Sequence, residues 1–97
     1  MNKTEHLLVC LAEEAAELQQ AVSKALRFGL SDGYPESATT NRHDIEREFI
    51  DLLAVMELLD DLDIVRPYVT SDKLSEKKTK VCKWLEYARE HETLNEL

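Results

Sequence analysis

Glu14 and Glu17 on one segment, and Glu48 and Asp51 on another, sit in or beside positions that the hydrophobic pattern reserves for apolar side chains. The segments read Glu13-Glu14-Ala15-Ala16-Glu17 and Glu48-Phe49-Ile50-Asp51. If two packed helices carry them, four carboxylates meet at one place between the helices. Like charges that share a site repel one another, and each ion loses its hydration on burial, so something positive must stand among them. A hard divalent cation with all-oxygen ligands meets that need.

The phase of each acid supports this reading. At about 100° per residue, Glu14 falls inside the apolar arc of its helix and Glu17 on the flank, with Glu13 farther out. Cys10, Glu14, Glu17, Ala21, Lys24 and Phe28 follow one ridge in four- and three-residue steps. Glu48 lies in the apolar arc of the second helix, with Asp51 at its edge. Other readings stand beside it. Either acidic run can be a solvated face with partners one turn away, and acids near a helix start favour its dipole. Buried salt bridges are a third option, but basic residues on these helices mostly lie elsewhere in phase, Lys24 being the main exception.

Zinc is a poor fit, because His6, His43 and His91 have no ligand spacing with one another or with the cysteines. A Gly-rich phosphate loop, a nucleophilic triad and a CxxC motif are all missing from the chain. Magnesium remains, with manganese as its substitute, and such ions are completed by substrate phosphates and water.

The elements that must position these acids are helices. Leu7, Leu11, Ala15, Leu18, Val22 and Ala25 define a buried face for a first helix from about Thr4, its expected N-cap, to Phe28, with Gly29 following as C′. A second helix is expected from Thr40 or Asn41 to about Asp61, with Ile45, Phe49, Leu52, Val55, Met56, Leu59 and Leu62 as its main apolar face. Ile50, Leu53, Ala54 and Leu58 spread hydrophobicity round its other sides, which suggests burial against another subunit. Ser71 is the expected cap of a third helix from about Asp72 to His91, and a short fourth is allowed around Ile64 to Tyr68. Residues 29–43 lack periodicity and form a long connection, either a mobile linker or a lid. The tail, Glu92 to Leu97, is expected to fray. The expected fold is therefore all-α: a single-domain bundle of three long helices, completed by oligomerisation.

Composition sets the outer limits. Ninety-seven residues with 43% hydrophobic and 33% charged content make one ordinary domain. A net charge of −8 argues against general nucleic-acid binding, though not against phosphate-bearing small molecules held through a metal. The apolar stretch Leu7 to Ala12 runs into Glu13 and Glu14, so it reads neither as a signal peptide nor as a membrane span. Cys10 and Cys82 sit inside apolar helical patterns and read as two buried thiols in a reducing cytoplasm.

A second ridge is basic and aromatic. Lys73, Lys77, Lys80, Trp84 and Tyr87 follow alternating four- and three-residue steps on the third helix. Its ammonium groups suit phosphates and its rings suit a base. The competing reading has the lysines covering Trp84 at the core edge with their charged heads in water.

Glu13-Glu14-Ala15-Ala16-Glu17, followed by Glu48-Phe49-Ile50-Asp51-Leu52-Leu53, resembles the MazG-like, all-α nucleoside triphosphate pyrophosphohydrolase superfamily. The resemblance covers the two acidic helices and extends to the third. The chain's compact size is similar to short members, including those carried by bacteriophages. The resemblance implies magnesium-dependent hydrolysis of a (deoxy)nucleoside triphosphate to monophosphate and pyrophosphate. It implies Glu14, Glu17, Glu48 and Asp51 as metal ligands, and Glu13 in a direct or outer role. Lys24, Lys73, Lys77, Lys80 and Trp84 become candidates for substrate contact. A homodimer or homotetramer in the cytoplasm, bacterial or that of a phage host, is also implied. Thirty residues separate Glu17 from Glu48, longer than the family's usual interval, so no role for the 29–43 loop carries over. Two other readings remain: a relative that binds nucleotide without hydrolysis, and a helical module that engages a protein partner through its apolar second helix.

Overall fold

In the computed structural model, residues 1–33 and 38–95 are described, and among them the protein is all-α with three long helices and no strand. These are α1 (Lys3–Phe28), α2 (Asn41–Asp61) and α3 (Ser71–Glu90). The chain divides into two compact units, Met1–Arg66 and Pro67–Leu97.

Each helix begins on a side-chain oxygen that accepts from a backbone N–H otherwise left without a partner. Asn2 caps α1 through the N–H of Glu5 at 2.8 Å, so this helix starts just before the expected Thr4 cap. Thr40 caps α2 through His43, and Thr70, not Ser71, caps α3 through Lys73, each at 3.2 Å. Asp44 and Asp72 lie in the first turns of α2 and α3, where a negative charge favours the dipole. α1 stops at Gly29, whose φ of 96° is a glycine conformation and whose N–H donates to the Ala25 carbonyl.

In the first unit α1 and α2 pack as an antiparallel pair, and their inward residues follow one rule. On α1 they are Leu7, Leu11, Glu14, Leu18, Ala21 and Ala25; on α2 they are Asn41, Ile45, Glu48, Leu52, Val55 and Leu59. Both sets step by four and three residues, the spacing of a coiled-coil seam. Leu59 is fully buried, which stabilises the pair by about 1.5–3 kcal/mol relative to an exposed leucine. The small Ala21 and Ala25 let the helices approach closely. This seam is narrower than the expected faces. Ala15 and Val22 lie outside it on α1, and Phe49 on α2 is 52% exposed.

A hydrogen-bonded stem joins the end of α1 to the start of α2. The N–H groups of Asn41 and Arg42 donate to the carbonyls of Asp32 and Leu30 at 2.7 and 2.9 Å. The Asn41 side chain, 7% exposed, donates to the Gly29 carbonyl at 2.9 Å. Gly33 belongs to this stem because a Cβ there would stand 2.1 Å from the Thr39 carbonyl oxygen. Residues 41–43 are helical, so the irregular connection ends at Thr40. Its expected role as lid or linker also involves residues 34–37, which lie outside the described residues.

The short helix expected around Ile64 to Tyr68 does not form. Asp63 adopts φ 57°, the Leu59 carbonyl accepts from Ile64, and Arg66 bonds the carboxylates of Asp60 and Asp63. Pro67 then biases Arg66 away from helix. In the second unit, α3 has no fully buried residue, so Cys82, expected to be buried, is exposed, whereas Cys10 on α1 is half-buried. Thr93 bonds the Ala88 carbonyl through both its N–H and its hydroxyl, so the chain is held through residue 93 where fraying was expected from residue 92.

Candidate metal centre

The seam of the first unit carries acids at matching depth. Glu14 replaces an apolar residue between Leu11 and Leu18 on α1, and Glu48 does so between Ile45 and Leu52 on α2. Glu17, one turn on from Glu14, leans to the same flank. One carboxylate oxygen from each of Glu14, Glu17 and Glu48 lies within 4.8 Å of the others.

The electrostatics of this triad are unbalanced. Oε2 of Glu14 and Oε2 of Glu48 are buried and have no hydrogen-bond partner. A buried carboxylate oxygen without a donor is costly, and most such atoms in proteins are satisfied. Glu17 carries the strain as a raised pKa. The charge of Glu14 is the largest cause, followed by a hydrogen bond to Glu48, the charge of Glu48, desolvation and the charge of Asp51. Glu14, Glu17 and Glu48 together offer one carboxylate oxygen each, from two helices, that could hold a hard cation.

The other expected ligands fall differently. Asp51 is exposed and outside the triad, although its charge still reaches Glu17. Glu13 is exposed on the outer side of α1. Lys24 is half-buried on the seam side of α1, two turns or about 10 Å along the axis from Glu17. Lys73, Lys77, Lys80 and Trp84 belong to the second unit and are exposed on α3. Lys73 donates to the Tyr68 carbonyl at 3.0 Å, which ties it to the start of its own helix. Trp84 meets Tyr87 edge to face at 5.4 Å between ring centres, and Tyr87 stacks on His91 at 4.0 Å.

Two residues not singled out from sequence also bear on the site. Arg47 donates to Oε1 of Glu48 at 3.4 Å and lies 3.6 Å from Oδ1 of Asp44. Their signal in the sequence is the run Asp44-Ile45-Glu46-Arg47-Glu48, which places a cation between two acids.

Comparison of the chain with protein-family models, curated proteins and solved structures gave no match. No helix of the described residues is long and apolar enough to cross a membrane.

Proposed function

We propose that this chain is a magnesium-dependent nucleoside triphosphate pyrophosphohydrolase of the MazG-like kind, converting a (deoxy)nucleoside triphosphate to monophosphate and pyrophosphate. The observation that carries the reading is the convergence of Glu14, Glu17 and Glu48 from two helices, with two oxygens buried and unpartnered. Together with the motif pair that contains them, this favours a cation site over two solvated faces. Neither i, i+4 partners nor the helix dipole accounts for buried oxygens that lack donors.

In this reading Glu14, Glu17 and Glu48 hold Mg²⁺, with Asp51 as the fourth carboxylate and Mn²⁺ able to substitute. Bound there, the ion supplies Lewis-acid polarisation of phosphate oxygens and a water acidic enough to act as nucleophile near neutral pH. The proton of the attacking water goes to a carboxylate, either Glu13 or one of the ligand acids. Water attacks in line at the α-phosphorus, and pyrophosphate departs with the electrons of the broken anhydride bond. Lys24 supplies positive charge within the same unit. Lys73, Lys77, Lys80 and Trp84 enter as substrate contacts on residue chemistry alone.

A homodimer or homotetramer accompanies this function. Phe49 and Ile50 of α2 are 52% and 62% exposed, an apolar pair that water covers at a cost. The same pair supports a second reading, a non-catalytic module that binds another protein through α2. A cytoplasmic location, in a bacterium or a phage host, goes with the enzymatic reading. The test is a panel of nucleoside triphosphates with Mg²⁺, scored for pyrophosphate and orthophosphate. Pyrophosphate is expected; orthophosphate alone, or no turnover, removes the proposed reaction.

A further inference from the structure

We infer that Arg47 is a positioning residue for the metal centre, holding the Glu48 carboxylate by one oxygen and leaving the other buried and free of donors. The inference rests on the metal-binding reading above and concerns how the chain prepares that site. Glu48 has two oxygens in opposite surroundings. Oε1 accepts from Arg47 Nη2 at 3.4 Å, whereas Oε2 is buried with no donor, and the residue belongs to the group formed with Glu14 and Glu17. The last torsion of a glutamate is broad, so an unsupported carboxylate rotates readily. A partner on one oxygen restricts that rotation, and ligating carboxylates are commonly held in this way.

Arg47 is itself oriented. Its Nη2 also lies 3.6 Å from Oδ1 of Asp44, one turn back on α2. A guanidinium suits this arrangement, because its donors are fixed in a plane and can address two carboxylates together. The order Asp44–Arg47–Glu48 therefore runs along the surface of α2 and ends at Oε1 of Glu48. Arg47 is 56% exposed, so these ion pairs add little to folding stability. Their effect falls on the direction of one side chain.

This role has a signature that simple charge cannot imitate. A cation beside a cation site weakens it electrostatically, so removing Arg47 for charge alone would tighten divalent-ion binding. Loss of positioning weakens it instead. The experiment is titration of the full chain with Mn²⁺ alone, with free Mn²⁺ read by electron paramagnetic resonance, for wild type, Arg47→Gln and Arg47→Lys. Circular dichroism and melting are recorded on the metal-free proteins.

The expected result is a loss of about 10- to 100-fold in Mn²⁺ affinity for Arg47→Gln. Arg47→Lys should also bind more weakly than wild type, because its ammonium keeps the charge but its donors are not fixed in a plane. Both variants should match wild type in metal-free helicity and melting. Equal or tighter binding by Arg47→Gln overturns the inference and leaves the metal site standing. Weaker binding with a parallel loss of metal-free helicity assigns Arg47 to the fold and also overturns it. Failure of wild type to bind Mn²⁺ overturns the metal-binding reading, and this inference with it.

Discussion

Oε2 of Glu14 and Oε2 of Glu48 come from different helices, both are buried without a donor, and their residues share with Glu17 a group that has one oxygen of each within 4.8 Å of the others. Two packed helices with leucine at positions 14 and 48 would form a more stable seam. Retaining acids there makes sense when a ligand, absent from the folding equilibrium of the bare chain, supplies the missing positive charge.

Magnesium should therefore stabilise the protein. Binding to the folded form alone contributes about 2.7 kcal/mol at one hundred times Kd. The melting midpoint should rise on adding Mg²⁺, and the rise should vanish in Glu14→Gln and Glu48→Gln. Unchanged melts at millimolar Mg²⁺ would favour the protein-interaction module.

Glu48→Gln should lose turnover by more than the roughly 10- to 100-fold typical of removing an outer-shell partner of a metal ligand. Its helical circular dichroism should stay near that of wild type, because the replacement is isosteric. Full activity in this variant would remove Glu48 from the mechanism.

The pH dependence follows from Glu17, whose folded-state pKa is raised above its ordinary value of 4.5, chiefly by the charge of Glu14. In the folded protein this group binds its proton more tightly than in the unfolded chain. Its contribution to stability is thus complete below the unfolded value and is lost as pH rises through the folded one. In EDTA, Glu17→Gln should gain melting temperature relative to wild type as pH increases from about 4.5 through that range, then level off. A difference that does not change with pH would mean that Glu17 is not under strain from its neighbours.

Leu59→Ala should cost about 2–5 kcal/mol in urea unfolding, as expected for truncating a fully buried leucine. Phe49→Ala, at an exposed position, should change monomer stability far less. Its effect should appear in sedimentation instead if α2 forms a subunit contact.

Much of the helical framework was legible because period and punctuation agree. Gly29 and Thr40 each adjoin a helix end in the structure, and Pro67 falls inside the non-helical connection between α2 and α3. Caps were harder, since Asn2 and Thr4, or Thr70 and Ser71, offer similar oxygens and only the entry angle of the chain decides between them. The seam was misread by part of a turn: Ala15 and Val22 fit an apolar average, but the inward line runs through Glu14 and Ala21. Phe49 was assigned inward on hydrophobicity alone, and the α1–α2 contact does not need it.

For the site, helical phase located Glu14, Glu17 and Glu48 well. It left Asp51 ambiguous because phase describes the angle round an axis and not the depth at which two helices cross. Residues three apart on one flank differ by about 4.5 Å along that axis, enough to place one acid in the triad and the other at its edge. Arg47 escaped notice because neighbours in sequence do not normally face each other on a helix, and a long guanidinium overcomes that separation.

The stem formed by Gly29, Leu30 and Asp32 with Asn41 and Arg42 closes the crossover at its foot. Whatever length of chain is inserted above it, the two helices are still registered by the same few bonds. Sequence drift, or a grafted epitope, can thus accumulate in that crossover without shifting the acids below, which gives this small protein one place to vary freely.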